Sequence, residues 1–458
     1  MGSLNALLGT IQDGLAAQQA GLDVTGQNIT NVSTPGYVDR SAVLEEQPLG
    51  GVNVAEIQRS FNSFTYSQVL VAHGQNTSSQ TLSSTLGEAQ AVVAPQGGAA
   101  VSDMMNTFFS SLQTLTANPS DPSTRSAVLA SAAQLAQSFS TTASGLSQLQ
   151  SSIFSQAQSY ATALNTSLSQ IASLNSQISQ AQASGDNAPD LRDQRDTLVT
   201  SVADTIGAKV VADPSGSVTL FAAGGVLVGG NKASALEVSL DASGAMKFAV
   251  SNPGGVPIDL TSGVTQGKLG GLREARDVDI ANTATQLDQL AYNFSNAVNA
   301  VQSTGYGLDG VSGRPLFAPP ATVAGAAAAM TVDPSVAGQP GNIGAAASAQ
   351  DVPGGNDVAI QLAQLATQPL NGGGSPSSQF ASLASQLGSA KSAADTDAAT
   401  RADMMTQAEN LNSSASGVSL NEEMVNLTRF QQAFQASTQV LQTTDSLLSQ
   451  FMTAMSTA

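Results

Sequence analysis

The sequence of 458 residues contains no cysteine and no tryptophan, and aromatic residues make up only 4% of it. The absence of cysteine excludes disulfides, thiolate nucleophiles and cysteine metal ligands. The scarcity of aromatic side chains, together with long stretches rich in Ala, Ser, Gln and Thr, favours long thin helices over one thick globular core. Because 41% of the residues are hydrophobic, the chain can still bury a core, and its length predicts two or three domains.

Charged residues are also scarce, and most of them are acidic. They make up 10% of the chain, with 33 acidic against 15 basic residues and a net charge of −18. Such a surface repels phosphate backbones and anionic lipids, so we expect neither nucleic acid nor a membrane as a partner. No apolar run is long enough to span a bilayer, and the N-terminal leucines are spaced among polar residues, unlike the core of a cleaved signal peptide.

The residues that catalysis requires do not form a recognisable group. His73 is the only histidine, and a general base needs an orienting partner. The glycine pairs at 224–225 and 229–230 lack the spacing of a phosphate-binding loop and are typical of turns between strands. We therefore expect no enzyme activity, no cofactor and no metal.

One acidic cluster needs a separate interpretation. Asp190, Asp193 and Asp196 follow one another at intervals of three, which places them on one face of a predicted helix. They could form a carboxylate site, but Arg192 and Arg195 lie between them. The sequence favours local ion pairs with these arginines.

Each end of the chain carries a heptad pattern. Near the C-terminus, apolar residues recur at every seventh position and predict a continuous apolar face on a long helix. The first thirty residues repeat this interval, although Gln18 and Thr25 interrupt it. The predicted interface residues are Leu4, Leu8, Ile11, Leu15, Leu22, Ile29, Leu420, Leu427, Phe430, Phe434, Leu441, Leu448 and Phe451.

A turn is predicted directly after the N-terminal helix. Pro35 disfavours the helical conformation at Thr34, and Gly36 can adopt the positive φ of the third residue of a type II turn. The helix must end here, so the turn fixes the direction in which the chain leaves it, although an ordinary helix stop gives the same pattern. The predicted turn residues are Asn31, Thr34, Pro35, Gly36 and Tyr37.

The middle of the chain predicts long helices, with a hairpin or extended excursion over 38–57. A helix capped by Ser123 or Thr124 is followed by a rod of about forty residues, roughly 60 Å long, that ends at Gly185. Gly97-Gly98 interrupts the helical pattern before these elements.

Further along, residues 209–260 alternate with the period of strands and predict a small inserted β domain. Helical periodicity resumes at 269–301, while 306–344, rich in Gly, Pro and Ala, is predicted to lie over the surface. The final helices cover about 357–366 and 380–413 and lead into the terminal helix.

The predicted fold class is therefore mainly α with a small all-β insertion, in an elongated multidomain protein. Residues 1–36 and 418–458 would pair as an α-helical coiled-coil domain. Residues 37–207 and 264–417 would form an elongated helical domain, and 208–263 an outer β domain. Burial between two terminal helices alone does not offset the entropy of ordering them, so we predict that both ends become ordered on packing with further copies of the chain.

Several stretches resemble the FlgK family of flagellar hook–filament junction proteins. Residues 21–37 are similar to the N-terminal signature shared by rod, hook and junction proteins, and 416–437 to their C-terminal signature. Residues 125–139, 172–196 and 267–290 resemble the middle region of the FlgK family. The chain departs from the family pattern just after the N-terminal signature, and its β insertion is small, which implies one outer domain.

The resemblance implies an extracellular component of the bacterial flagellum, an adaptor at the hook–filament junction that is exported without a cleaved signal peptide. The implied partners are further copies of the chain, the hook protein, the second junction protein and an export chaperone at the C-terminal helix. Two other functions stay open at this point. One is another flagellar axial protein, namely hook, distal rod or second junction protein, and the other is a secreted adhesin or hydrolase carried on the flagellum.

Overall fold

The computed structural model describes residues 2–48, 50–95, 100–251, 255–371 and 373–456, without the side chains of 2–5 and 455–456. Within this part of the chain the protein is mainly helical, with small antiparallel sheets, in agreement with the predicted class. The predicted break at Gly97-Gly98 and the side chain of Leu4 lie outside the described residues.

The chain begins with helix α1 (Gly2–Asn31), which is followed by a tight turn. Gly36 has a φ of +80°, and the Tyr37 amide donates to the carbonyl of Thr34 at 3.2 Å, which is the geometry of a type II turn. Strands β1 (Arg40–Glu46) and β2 (Val52–Arg59) then form an antiparallel hairpin that packs against α1.

Four helices follow, and the third of them is much longer than predicted. Because α4 extends over 62 residues without a break, it is about 93 Å long. Asp121 caps it by accepting from the Ser123 amide at 2.9 Å, so the predicted caps at Ser123 and Thr124 are wrong. The helices are α2 (Ser63–Val93), α3 (Val101–Ala117), α4 (Pro122–Ala183) and α5 (Pro189–Ile206).

The β insertion contains a four-stranded and a three-stranded antiparallel sheet, each in sequential strand order. Asn175 of α4 fastens the first sheet, because its side chain accepts from the Val218 amide at 3.1 Å and donates to the carbonyls of Val218 and Gly230 at 2.8 Å. The strands are β3 (Lys209–Ala212), β4 (Val218–Ala222), β5 (Gly225–Gly229), β6 (Lys232–Ala233), β7 (Ala235–Leu240), β8 (Met246–Ser251) and β9 (Ile258–Asp259).

After β9 the chain becomes helical again. The helices that follow pack with α2–α5, and together they form the helical body. Helices α6 (Gly267–Glu274) and α7 (Ala281–Gln302) are joined without interruption by a π-helical segment, Ala275–Ile280. The irregular stretch that follows does not simply lie over the surface, as predicted, because Leu316 and Phe317 are completely buried in the core.

The last part of the chain contains α8 (Asp357–Gln364), α9 (Pro376–Ser416) and α10 (Leu420–Ser456). Helix α9 packs along α2, and α10 packs against α1. The body is therefore assembled from both halves of the chain. Its core includes four mutually packed phenylalanines with no exposed surface, Phe108, Phe139, Phe294 and Phe317.

Candidate assembly site at the terminal helices

Helices α1 and α10 approach each other closely where α1 has a glycine. A Cβ atom added at Gly21 would lie only 2.6 Å from Cε1 of Phe430, so the bare backbone of α1 makes room for the phenyl ring. The ring of Phe430 in turn lies beside the guanidinium of Arg429, 5.2 Å from its centre. A larger residue at position 21 would force the ring of Phe430 out of this position.

The predicted interface residues lie on or near this contact, but the two helices cover them incompletely. Leu420 and Phe451 are 48% and 56% exposed. The side chain of Leu4 lies outside the described residues. The other ten are half-buried: Leu8, Ile11, Leu15, Leu22, Ile29, Leu427, Phe430, Phe434, Leu441 and Leu448.

The fully buried row of α1 consists of small and polar residues that the sequence interpretation did not select. Ala17, Gly21, Val24 and Asn28 follow one another at steps of four, three and four, and all are buried. Thr25, which was interpreted as an interruption, is also buried. The spacing itself was the available signal, because steps of three and four keep residues on one helix face whatever their size.

Apolar side chains of α10 remain exposed on both sides of its heptad row. Val440 and Leu447, one position before Leu441 and Leu448, are 50% and 63% exposed. Residues one position before and four positions after a heptad residue lie on opposite flanks of its row. Met452, four positions after Leu448, is 56% exposed on the other flank. Helix α10 thus presents apolar surface in more directions than α1 can cover.

Asn28 forms the centre of a joint between α1, the segment 37–40 and the start of α10. Its side-chain amide lies 2.9 Å from Oδ1 of Asp39, 2.8 Å from the carbonyl of Arg40 and 3.2 Å from Oε2 of Glu423. Its oxygen accepts from the Tyr37 hydroxyl at 2.9 Å. Burial raises the pKa of Asp39, and the nearby charge of Glu423 raises it further. The joint therefore holds two carboxylates around one buried amide.

The hairpin is fastened to the body by an ion-pair cluster with α5. Arg40 contacts Asp190 at 2.7 Å and also pairs with Asp193, while Arg59 contacts Asp193 at 2.6 Å and Asp196 at 2.8 Å. Most ion pairs of Asp190, Asp193 and Asp196 are therefore with arginines of the hairpin. The predicted pairing with Arg192 and Arg195 is wrong for these contacts. Burial raises the pKa of Asp193, although both arginines oppose that shift.

The interleaved arginines have other partners. Arg192 donates to the carbonyl of Asn187 at 2.8 Å, and Arg195 donates to the carbonyl of Gly216 at 2.8 Å. Arg195 makes only a longer contact of 3.4 Å with Asp196. These two arginines connect α5 to its preceding loop and to the β insertion. The charged residues of α5 therefore bind the hairpin, this loop and the β insertion.

The end of α9 meets the hairpin and the joint at Ser416. The Asp39 amide donates to the carbonyl of Ser416 at 2.9 Å, and the Asn62 amide donates to its hydroxyl at 3.1 Å. A cavity of about 280 Å³ lies beside this contact, between the turn after α1 and the end of α9. The direction of the terminal helices relative to the body is thus set by buried hydrogen bonds.

Three protein-family models match the chain. A model described as the flagellar hook-associated protein FlgK helical domain matches residues 86–317, half of the chain. The chain belongs to the FlgK family. Models of the flagellar basal body rod protein and of the flagellar basal body rod FlgEFG protein C-terminal region match residues 8–37 and 403–455.

Named relatives agree with this membership. The FlgK-family chain is 31% identical to flagellar hook-associated protein 1 of Salmonella typhimurium, over 69% of this chain and 59% of the relative. It is 26% identical to the proteins of the same name in Escherichia coli and Bacillus subtilis, over 97% and 98% of this chain and 98% of each relative. Its structure resembles the flagellar hook junction protein FlgK from Burkholderia pseudomallei, with a TM-score of 0.50 and 31% identity over 55% of this chain and 46% of that one.

The two flagellar rod models match the segments that meet at the joint. The N-terminal match covers most of α1 and its turn, and the C-terminal match covers the end of α9 and most of α10. Among the described residues of this FlgK-family chain, no group of three or more His, Asp or Glu side chains could hold a metal. No described helix is long and apolar enough to cross a membrane.

Proposed function

We propose that this protein is a structural adaptor at the hook–filament junction of the bacterial flagellum, on which the second junction protein and the filament assemble. Its membership of the FlgK family and the names of its relatives support this proposal. The observation that carries it is the paired α1 and α10, where ten predicted interface residues are partly buried within one chain and apolar side chains on both flanks of α10 stay exposed. We assign the protein no catalytic activity.

In this proposal, residues 1–36 and 418–458 form a coiled-coil domain at the inside of a helical assembly. The helical domain of 37–207 and 264–417 surrounds it, and the β domain of 208–263 lies outermost. Further copies of the chain would cover the exposed flanks of α10, and repeated contacts between unlike surfaces generate an open helical array. Burial of these flanks would supply the stabilisation that a single helix pair lacks.

The proposed partners follow from the same arrangement. The hook protein would contact one side of the assembled ring, and the second junction protein the other. An export chaperone would cover the apolar face of α10 before assembly, because exposed side chains such as Leu447 and Phe451 favour aggregation. The protein would act outside the cell, after export without a cleaved signal peptide.

Polar replacements in the heptad rows test this function. In a strain lacking the gene, a copy carrying Leu15→Ser, Leu427→Ser and Leu441→Ser should leave intact hooks without filaments. The reason is that polar side chains in these rows weaken contacts between copies. Motility assays and electron microscopy of the hooks would measure the effect.

A matched control is Val256→Ser, which changes a side chain that is 86% exposed on the β insertion. This variant should swim normally. Normally attached filaments with the triple variant would refute the proposed assembly surface. Missing hooks in the deletion strain would instead identify the protein as a hook or rod component.

A further inference from the structure

His73 lies on α2 between carboxylates from two other helices. Its Nδ1 is 2.9 Å from Oδ1 of Asp204 on α5, and its Nε2 is 3.1 Å from Oε1 of Glu409 on α9. The imidazole is 17% exposed, and the two carboxylates are 28% and 46% exposed. One side chain thus connects three helices of the body.

Both contacts are satisfied only when the imidazole carries its second proton. An ionised carboxylate accepts hydrogen bonds and cannot donate them, while a neutral imidazole has a single N–H. In the neutral ring one nitrogen therefore directs its lone pair at a carboxylate oxygen of Asp204 or Glu409. The arrangement of acceptors on both sides favours the imidazolium on geometry alone.

No other charge in the described surroundings competes with these two carboxylates for the ring. On α9, Arg401 is more than two turns before Glu409 and binds Gln75 and Asp397. The basic residues of the other neighbouring elements point elsewhere. Lys209 of β3 is exposed, Lys268 lies over the Tyr160 ring, and Arg273 donates to the Val264 carbonyl.

These neighbours shift the proton affinity of the ring. The hydrogen bond to Asp204 raises the pKa of His73, burial opposes that shift, and the charges of Asp204 and Glu409 add to it, so the pKa is above its ordinary value. A histidine with a raised pKa in the folded protein contributes stability below its ordinary pKa of about 6.5. That contribution is lost as the pH rises through the raised value.

The last four turns of α9 depend on polar contacts of this kind. In the stretch 401–416, Ala408 is the buried apolar side chain, whereas Met404 and Leu411 are 50% and 51% exposed. Hydrogen bonds to α2 add to this packing, such as that from the Thr65 hydroxyl to Oδ1 of Asn412 at 2.8 Å. The same stretch leads directly into α10. Weakening the contact at Glu409 therefore loosens the base of α10.

We propose that His73 is a proton-dependent clamp that holds the end of α9, and with it the base of α10, against the helical body. The clamp is closed when the imidazole is protonated and opens when it loses its proton. It requires nothing of the proposed flagellar role, because it acts within a single chain.

The single histidine makes the proposal directly measurable on the full-length protein. Nuclear magnetic resonance of the labelled imidazole should give a pKa above about 6.5. Amide hydrogen exchange, corrected for intrinsic rates, should show lower protection of 401–416 at about pH 8.5 than at about pH 6, because the protonated fraction of the imidazole falls between these two values. Protection of the buried middle of α4, at 128–139, should not change.

His73→Gln should abolish this pH step, because glutamine has no proton to lose. Thr65→Val is the matched control, since it removes another attachment of α9 without a titrating group and should lower protection equally at both pH values. Should His73→Gln not fold, Glu409→Gln keeps the ring and should lower its pKa. A measured pKa at or below the ordinary value, or a pH step that survives in His73→Gln, would overturn the proposal.

Discussion

The helical body and the terminal helix pair solve the problem of burial in opposite ways. In the body, bulky side chains such as Phe294 and Phe317 are completely buried. In the terminal pair, the leucines of the heptad rows are only partly buried, and most of the fully buried positions of α1 are small or polar, such as Ala17 and Asn28. Large buried side chains supply most of the stability of a fold. We therefore expect the body to supply most of the free energy of folding. The terminal pair keeps exposed apolar surface that a further copy of the chain can cover.

The sharpest test of this contrast is one truncation in each region. Phe294→Ala should lower the free energy of unfolding by about 3–5 kcal/mol, because it leaves a cavity in the aromatic cluster. Leu441→Ala should cost about 1 kcal/mol or less in the free subunit, since its side chain is only half-buried. Urea unfolding of the monomer measures both. A loss at Leu441 as large as that at Phe294 would show that the terminal pair has a complete core.

Removing a buried residue of the ion-pair cluster between the hairpin and α5 should lower the free energy of unfolding about as much as a truncation in the core of the body. Arg59→Ala should cost about 3 kcal/mol, because Asp193 and Asp196, both mostly buried, would lose a charged partner. Asp190→Ala is the matched control, since that carboxylate is 78% exposed and its loss should cost about 0.5 kcal/mol or less. Equal effects in thermal unfolding would contradict the assignment of the cluster as a buried attachment.

A smaller effect than that of Phe294→Ala or Arg59→Ala is expected at the joint between body and terminal pair. Glu423→Ala should cost about 1 kcal/mol, because it removes an acceptor from the buried amide of Asn28. Glu423→Gln keeps an oxygen in place and removes the charge that faces Asp39, so it should cost less and lower the pKa of Asp39. Hydrogen exchange in α10 and carboxyl resonances measure these changes. A larger loss with glutamine than with alanine would exclude the proposed hydrogen bond.

Local patterns in the sequence predicted the helices at both ends, the strands of the insertion and the hairpin, because each depends on a repeat or a turn within a few residues. The continuity of α4 could not be predicted in this way. The stretch 140–145 lacks large apolar side chains and resembles a break, but Gly145 packs against Val92 of α2, where a Cβ would lie 2.8 Å from a methyl group. The glycine serves a close approach between helices, and tertiary packing maintains the helix through it.

The contacts of the candidate site could not be predicted from the sequence, because the residues that pair are far apart along the chain. Arg40 pairs with Asp193 across 153 positions, whereas the helical spacing of the acids suggested neighbours. In the sequence, Asn28 is recognised only as part of the N-terminal signature. Its hydrogen bond with Glu423 appears only in the folded chain. Phe317 belongs to a stretch without periodicity, yet it packs against Phe108 and Phe294 in the aromatic cluster. Periodicity identifies faces of helices, and only the folded chain shows what they meet.

The hydrogen bond between Asn28 and Glu423 joins residues that are 395 positions apart. Contacts of such separation close very long loops and form late in folding. A ribosome makes α1 long before it makes α10, so the first helix remains without its partner while the intervening residues are synthesised. Prematurely terminated chains lack the second helix altogether. The contact between α1 and α10 therefore forms only in chains in which every residue between the two helices has been made.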